Sequence, residues 1–370
     1  MRWAWLILCL ITLAGCSVHM DGPLEMPPPA PYPQPVEHTI ILKNFHLASN
    51  QSTPDNSIHI HLYTLGTPKR NAAGQTTNAI LIMHGTTGDG TQFLVPGFGG
   101  QLFGKGQPLD AQQFFIILPD DLGHGLSSCP SEALRAAFPN YNYADMVEAE
   151  FRAVTEGLNI NHLRLVMGTS MGGMHTWLWG ESHPAMMDAL LPLASLPEQI
   201  SGRNRLWRKM IIDDIRLDPQ WNAGNYTTQP NGLANALGVL FFMSSNPAVR
   251  YHDAPTGTAA DKLLQEYVAS RMQTMDANDV LYAVESSRDY DPGRPGALEK
   301  ITAPLLAINS ADDLINPPDL DIMQRQIKRV KNARFILLPE SPATHGHGTH
   351  TMAWIWHNYL EEFLRQTAKR

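Results

Sequence analysis

The sequence predicts an α/β fold in which helices cover both faces of a mostly parallel central sheet and a helical segment is inserted near its middle. The prediction rests first on short apolar runs that alternate with stretches of helical spacing. A glycine-flanked serine stands between one such run and a helix-like stretch, and the alternation later breaks for about one hundred residues before it resumes. Continuous apolar runs of this kind are typical of strands that are buried on both faces.

The individual elements follow from these runs. We predict β-strands at residues 39–47, 58–65, 79–83, 114–118, 163–167, 189–193, 305–309 and 334–338. Helical spacing of apolar residues predicts helices at 144–158, 175–179, 320–330 and 351–364. Between residues 196 and 297 the rhythm is replaced by helix-like pieces at 206–216, 233–244 and 259–275. We interpret this insertion as a helical lid that belongs to the single fold.

The N-terminal residues are predicted to be a targeting segment. Residues 1–15 carry one arginine and an apolar stretch too short to span a bilayer. The sequence Leu-Ala-Gly-Cys at 13–16 resembles a bacterial lipobox, which makes Cys16 the lipidated first residue of the mature protein. An ordinary secretory signal with a chance cysteine is the alternative. Ser17 in place of an aspartate favours, by resemblance to known lipoproteins, an outer-membrane lipoprotein of the cell envelope that faces the periplasm.

The segment after Cys16 is rich in proline, with seven prolines between residues 22 and 35. Proline at this density favours an extended, unpaired chain, so residues 16–36 are predicted to be a tether between the membrane and a folded body at 37–370. The formal net charge of −8 is spread without long runs, and we therefore expect no nucleic-acid partner.

The turn at 168–174, Gly-Thr-Ser-Met-Gly-Gly-Met, is the strongest chemical signal. A strand, a glycine-flanked serine and the start of a helix resemble the nucleophile elbow of the α/β-hydrolases. Such a turn presents Ser170 above the sheet and directs the N–H of Met171 at an oxyanion. A second donor is expected in the loop after the third strand, with Thr86 first and Thr87 next. His84 in that loop is predicted to be structural.

A serine nucleophile needs a base and an orienting acid, which follow it in the chain order Ser, Asp, His in these hydrolases. Two adjacent aspartates follow the strand at 305–309. We favour Asp313, because it lies four residues before Pro317 as is usual in the superfamily, and leave Asp312 as the alternative.

His347 is the preferred base, since glycines on both sides would let its side chain reach the serine; His345 and His350 remain alternatives. Three closely spaced histidines could indicate zinc, but a second convergent cluster is nearly absent from the sequence and the serine turn would then have no role. The sequence therefore predicts no metal and no cofactor.

These motifs together resemble the homoserine O-acetyltransferase branch of the α/β-hydrolase superfamily, over residues 80–356. The resemblance is carried by Phe-Pro-Asn-Tyr-Asn-Tyr-Ala-Asp-Met-Val at 138–147, by the serine turn, by Asp-Pro-Gln-Trp-Asn-Ala-Gly-Asn-Tyr at 218–226, and by the loops of Asp313 and His347. It implies an α/β-hydrolase fold and supports Ser170, Asp313 and His347 as a catalytic triad.

Two departures bear on the substrate. The segment 121–128 lacks the Gly-Ser-Thr-Gly-Pro loop of those acetyltransferases, and Leu237 stands where they carry an arginine. The sequence therefore favours hydrolysis of a small-molecule carboxylic ester, or a similar acyl bond, through an acyl-Ser170 intermediate. An acyltransferase acting on an amino-acid hydroxyl is the alternative. The third hypothesis is a lipoprotein without catalytic activity that binds a component of the cell envelope.

Overall fold

The computed structural model describes residues 25–368 and contains one eight-stranded sheet of order β1-β2-β4-β3-β5-β6-β7-β8. Strands β3 to β8 all run parallel to one another, whereas β2 is antiparallel to both β1 and β4. The predicted mostly parallel α/β-hydrolase fold is thereby confirmed. The strands are β1 Val36–Lys43, β2 Ser57–Leu65, β3 Ala79–Met83, β4 Phe115–Pro119, β5 Leu165–Thr169, β6 Leu190–Leu193, β7 Leu305–Ser310 and β8 Ala333–Leu338.

Helices cover both faces of this sheet. They are α1 Gly99–Leu102, α2 Tyr143–Arg152, α3 Met171–Ser182, α4 Gly202–Arg216, α5 Asn231–Ser244, α6 Pro247–Asp253, α7 Gly257–Arg271, α8 Ala277–Glu285, α9 Ile322–Gln326 and α10 Ala353–Gln366. Alternate residues of β3 enter different cores: Ile80 and Ile82 pack with α1 and α10, while Leu81 and Met83 pack with α2 and α3. Every side chain of the strand is therefore buried, as its continuous apolar run requires.

Helices α4 to α8 lie between β6 and β7, where the alternation of the sequence breaks. The segment 217–230 joins α4 to α5, and Asp218 holds it by accepting hydrogen bonds from the backbone N–H groups of Gln220 (2.8 Å) and Gly232 (2.6 Å). Gly232 at the start of α5 lies against the carbonyl of Asp214 near the end of α4. The two helices therefore form an antiparallel pair.

Two element predictions were wrong in detail. The first strand ends at Lys43, because Asn44 adopts a left-handed φ of 52°, and Phe45 and Leu47 enter the core from the following loop. The helix predicted at 320–330 is broken by Asp321, which also has a φ of 52°. Only the five residues of α9 remain α-helical there, between two short 3-10 turns.

The described part of the proline-rich segment differs from the unpaired tether that we expected. It has no regular secondary structure, but it is docked on the body. The N–H of Ala30 donates to the carbonyl of Gly100 (2.8 Å), and the Gln101 side chain donates to the carbonyl of Pro27 (2.9 Å). The hydroxyl of Tyr32 donates to the carbonyl of Leu94 (2.9 Å). Proline stiffens a chain without preventing its carbonyls from accepting hydrogen bonds.

The predicted signal peptide and Cys16 lie outside the described residues. Among the residues that are described, no single helix is both long and apolar enough to cross a membrane. Helices α5 and α6 meet those criteria only when they are taken together, and the chain bends by 110° between them.

Candidate active site

Ser170 lies in a strained turn between β5 and α3. Its backbone has a φ of 56° and a ψ of −109°, which is a costly conformation for a residue other than glycine. The flanking glycines are required by close backbone approach. A Cβ on Gly168 would lie 2.2 Å from the carbonyl oxygen of Gly172, and one on Gly172 would lie 2.0 Å from that of Met83. The turn is therefore available only to this glycine pattern.

Ser170, His347 and Asp313 form a continuous hydrogen-bonded chain. The Ser170 Oγ lies 2.8 Å from His347 Nε2, and His347 Nδ1 lies 2.8 Å from Asp313 Oδ2. The side chain of Asn316 (2.9 Å) and the N–H of Ile315 (2.8 Å) also donate to Asp313. With Nδ1 protonated toward the aspartate, Nε2 is left to accept the serine proton.

The electrostatics of Asp313 favour its charged form. Complete burial acts to raise the pKa of its carboxyl group, but the charge of His347 and the hydrogen bonds from His347, Asn316 and Ile315 together hold that pKa below its ordinary value. Asp313 therefore stays ionised at neutral pH and fixes the orientation of the imidazole.

Asp312 contacts neither His347 nor Ser170 through a hydrogen bond in the described chain. Its Oδ2 accepts from the side chain of Asn246 (2.6 Å) and from the N–H of Gly346 (2.8 Å), and its Oδ1 accepts from Ser310. This carboxylate consequently joins the loop of His347 to the start of α6.

The two alternative histidines are placed differently from His347. His345 is exposed. The ring of His350 lies 5.0 Å from that of His347, and burial, with a smaller contribution from His347, lowers the pKa of His350 to about 3. His350 is therefore neutral beside the site.

The loop after β3 passes directly beside Ser170, since a Cβ on Gly85 would lie 3.6 Å from the Ser170 Cβ. The Gly85 carbonyl accepts from the Gly88 N–H (2.9 Å) and lies 2.8 Å from His84 Nδ1. In a planar trans peptide the next N–H points the opposite way, so that of Thr86 is directed away from His84. No hydrogen bond from the Thr86 or Met171 N–H to another described residue is present.

His84 itself is buried behind this loop. Its Nε2 accepts from the N–H of Asp121 (3.0 Å), and burial is the main cause of a pKa well below the ordinary value. It therefore stays neutral and supports the loop, and no bond from it to Ser170 is found in the described chain.

Two further side chains fix the same loop, and no sequence signal pointed to them. Gln92 bridges it to the serine turn: its Oε1 accepts from the Gly85 N–H (3.2 Å), and its Nε2 donates to Thr169 Oγ1 (3.0 Å). His124 Nε2 lies 2.8 Å from the Thr86 carbonyl. The bonds of Gln92 to Thr169 and of His124 to Thr86 join residues 77 and 38 positions apart, which explains why spacing did not reveal them.

A cavity of about 180 Å³ opens beside Ser170 and His347. Thr86, Thr87 and Gln92 form its polar side. Its apolar side includes Leu240, Met243 and Tyr267 of the insertion, and Ile315 of the loop that carries Asp313. A carbonyl group held here would meet the serine oxygen, the imidazole and the free N–H groups together.

One group of acid and histidine side chains within residues 25–368 has donor atoms close enough to suggest a metal: Asp121, Glu150 and His175. All three are buried. His175 Nδ1 already lies 2.7 Å from Glu150 Oε1, and Trp179 donates to Glu150 Oε2 at 2.5 Å. Burial raises the pKa of Glu150 to about 8 and lowers that of His175 to about 4. At neutral pH both are uncharged, and the group connects α3 to α2 by hydrogen bonds.

The fold and the site geometry define a class of enzymes that handle acyl groups on a serine exposed at a strand end. The chain belongs to the alpha/beta hydrolase fold family, whose model matches residues 78–341. It is an enzyme of that family, of the acyltransferase or esterase kind.

Comparisons with individual proteins include both kinds. The chain is 26% identical to a homoserine O-acetyltransferase of Thermobifida fusca over 277 residues, covering 65% of this chain and 73% of the relative. The crystal structure of a homoserine O-acetyltransferase from Bacillus anthracis superposes with a TM-score of 0.78 at 21% identity, over 89% of this chain and 97% of that one. Esterase E22 superposes with a TM-score of 0.79 at 22% identity, over 90% and 100%. The two structural likenesses show the shared fold.

Proposed function

We propose that this protein is a serine esterase that cleaves a carboxylic ester through an acyl-Ser170 intermediate. The observation that carries the proposal is the hydrogen-bonded chain from Ser170 through His347 to Asp313, which ends beside two free backbone N–H groups. A serine hydroxyl becomes a competent nucleophile when a neighbouring base accepts its proton.

In the first half of the proposed reaction, the Ser170 oxygen attacks the ester carbonyl while His347 Nε2 takes its proton. The negative charge that forms on the carbonyl oxygen is stabilised by the N–H groups of Thr86 and Met171. Asp313 holds the imidazolium without accepting its proton. The tetrahedral intermediate then breaks its bond to the alcohol oxygen, which takes the proton from His347 and leaves as the free alcohol.

In the second half, a water molecule gives a proton to His347 and attacks the acyl carbonyl. The same N–H groups stabilise the second oxyanion. Its collapse breaks the bond to Ser170, returns the proton to the serine and releases the carboxylic acid. The cavity beside Ser170, of about 180 Å³ with one apolar side, supports short acyl chains in preference to long ones.

The second candidate is acyl transfer to an amino-acid hydroxyl, which the homoserine O-acetyltransferase relatives favour. Leu237 argues against this candidate. It is buried in α5, at the position that corresponds, by the family resemblance described above, to an arginine of the acetyltransferases. An apolar side chain cannot pair with the carboxylate of an amino acid as a guanidinium does. We therefore favour water as the acceptor.

The acceptor is tested by assaying the protein, without residues 1–16, on 4-nitrophenyl esters from acetyl to decanoyl, and separately on acetyl-CoA with homoserine or serine. Hydrolysis of the short esters, with no acetylated amino acid formed, is the expected result. Acetyl transfer to homoserine that outpaces ester hydrolysis would establish the acyltransferase. Absence of both activities, together with no fluorophosphonate labelling of Ser170, would point to a silent binding protein.

We further propose that the enzyme is a lipid-anchored protein of the cell envelope, because Cys16 ends a lipobox-like sequence. Lipid chains contribute about 0.8 kcal/mol for each buried CH₂ group, so several chains on one cysteine hold a protein at a membrane. Cys16→Ser should abolish metabolic labelling with a fatty acid and release the protein from the membrane fraction. Recovery of unlipidated wild-type protein from the periplasm would contradict the anchor.

A further inference from the structure

Arg208 is a buried cation of the insertion between β6 and β7. It lies on α4 with only 3% of its surface exposed. Its Nε donates to the side-chain oxygen of Asn204 (3.1 Å), and its Nη1 donates to the hydroxyl of Ser287 (3.0 Å). Among the ion pairs within residues 25–368, none includes Arg208. A guanidinium removed from water without a carboxylate is costly, and a negative charge that formed nearby would interact with it favourably.

Tyr143 connects this cation to the site. Its hydroxyl is buried and has no hydrogen-bond partner of good geometry in the described chain. Burial raises the pKa of Tyr143, but Arg208 and the side chain of Thr86 lie close enough to oppose that effect. Tyr143 and Arg208 also meet at the end of α8, because the Ser286 carbonyl accepts from the N–H of Tyr143 and the hydroxyl of the next residue, Ser287, accepts from Arg208.

The ring of Tyr143 is held independently of its hydroxyl. It packs edge-on against His175 of the serine helix at 4.7 Å between centroids, and against Tyr290 at 5.8 Å. The backbone N–H of Tyr143 donates to the Ser286 carbonyl (3.1 Å). Removing only the hydroxyl should consequently leave the packing of the ring intact.

We propose that Arg208 and Tyr143 are positioning residues for the oxyanion site, with Arg208 acting on Thr86 through the phenol. The negative charge of the tetrahedral intermediate forms beside Thr86, and a cation that is itself buried is screened less than one in bulk water. Because that oxyanion belongs to the acyl-Ser170 chemistry proposed above, the role of Arg208 rests on that function. Arg208 stands on the inserted helix α4, so the insertion would take part in turnover as well as cover the site.

The test compares Tyr143→Phe, Arg208→Lys and Arg208→Met with the control Lys209→Met, whose side chain is 57% exposed on the same helix. For a neutral acetyl ester we expect Tyr143→Phe and Arg208→Met to lower kcat about 10- to 100-fold with KM changed less than threefold. These losses are smaller than the 10²- to 10³-fold typical of removing an oxyanion donor itself. Arg208→Lys should recover a substantial part of kcat, and the control should match the wild type.

Two further measurements separate this role from others. The rate of Ser170 labelling by a neutral fluorophosphonate, which forms a similar oxyanion, should fall in parallel with kcat. This labelling needs no acyl acceptor, so it tests the role even if the natural reaction is acyl transfer. Thermal denaturation reports folding, and Tyr143→Phe carries the test if Arg208→Met does not fold.

Unchanged kcat and labelling rates in a folded Tyr143→Phe, with only a lower Tm, would overturn the proposal in favour of a structural role. A rise in KM confined to esters that carry a carboxylate would overturn it in favour of binding an anionic substrate. Loss of all labelling in the wild type would instead remove the proposed function itself.

Discussion

Asp312 and Asp313 are adjacent in the chain, yet their carboxylates serve different partners. Asp313 accepts from His347, whereas Asp312 accepts from Gly346 and Asn246. The first therefore acts on the imidazole ring and the second on the backbone that carries it. Two variants separate these effects.

Asp313→Asn should lower kcat/KM about 10³- to 10⁴-fold, because the amide does not hold the imidazole in the required tautomer or stabilise its cation. Asp312→Asn should lower it tenfold or less while reducing the Tm, since it weakens two bonds that position the histidine loop. Steady-state kinetics and thermal denaturation of both variants check this. A larger kinetic loss for Asp312→Asn would move the acid role to that residue.

Ser170→Ala and His347→Ala should each remove nearly all turnover, and the double variant should be scarcely worse, because residues that act as a unit are not additive. Fluorophosphonate labelling should disappear in Ser170→Ala and slow sharply in His347→Ala. His345→Ala is the matched control, since that histidine is exposed in the same loop. Retained turnover in His347→Ala with loss in His345→Ala would reassign the base.

A glycine-to-alanine substitution should destabilise the protein in α3 and stabilise it in α5. Gly172→Ala places a methyl group 2.0 Å from the Met83 carbonyl oxygen and should lower the free energy of unfolding by about 3 kcal/mol or more. Gly238→Ala in α5 meets no atom within 4 Å and should raise it by about 0.4–1 kcal/mol. Urea unfolding of both variants measures the difference. Equal effects would mean that backbone approach does not determine the turn.

Glu150 should make the protein less stable as pH rises from about 4.5 to about 8. Burial raises the pKa of Glu150 in the folded state to about 8, so in that range the native state holds a proton that the unfolded chain has released. The contribution of Glu150 to the free energy of unfolding then falls by up to ~1.4 kcal/mol per pH unit, whereas the contribution of His175, whose pKa is lowered to about 4, rises with pH up to about pH 6.5. In urea unfolding between pH 5 and pH 9, the free energy of unfolding of Glu150→Gln should decrease less with rising pH than that of the wild type. This difference in slope should be seen whether the variant is more or less stable than the wild type at a single pH.

Glu361→Gln is the control for this slope, because that side chain is exposed on α10. It should follow the wild-type curve. If Glu150→Gln and the wild type lose stability equally with rising pH, the buried carboxyl is not the group that titrates.

Local patterns in the sequence were sufficient to predict the sheet and the position of Ser170. Apolar runs such as residues 79–83 mark buried strands, and the glycines around Ser170 mark a turn that few sequences can form. The helix predicted at 320–330 failed because apolar spacing does not report the left-handed backbone of Asp321.

Contacts between distant segments could not be obtained in this way. Gln92, Asn246 and Arg208 become informative only when the fold brings them to Thr169, Asp312 and Tyr143, and nothing in their own neighbourhoods distinguishes them from surface residues. The docking of the proline-rich segment is another contact between distant segments. Composition predicts that this segment is stiff, but not which surface of the protein it packs against.

The bond between Asn246 and Asp312 restricts how a substrate can reach the serine. Asn246 precedes α6, and Asp312 is part of the loop that orients His347. A hinge motion of the whole insertion would therefore break a buried 2.6 Å hydrogen bond and displace the histidine while the substrate enters. Leu240, Met243 and Tyr267, the residues of the insertion that line the cavity, can change rotamer without breaking that bond. Substrate entry by side-chain rotation would therefore leave the proton-transfer geometry assembled between turnovers.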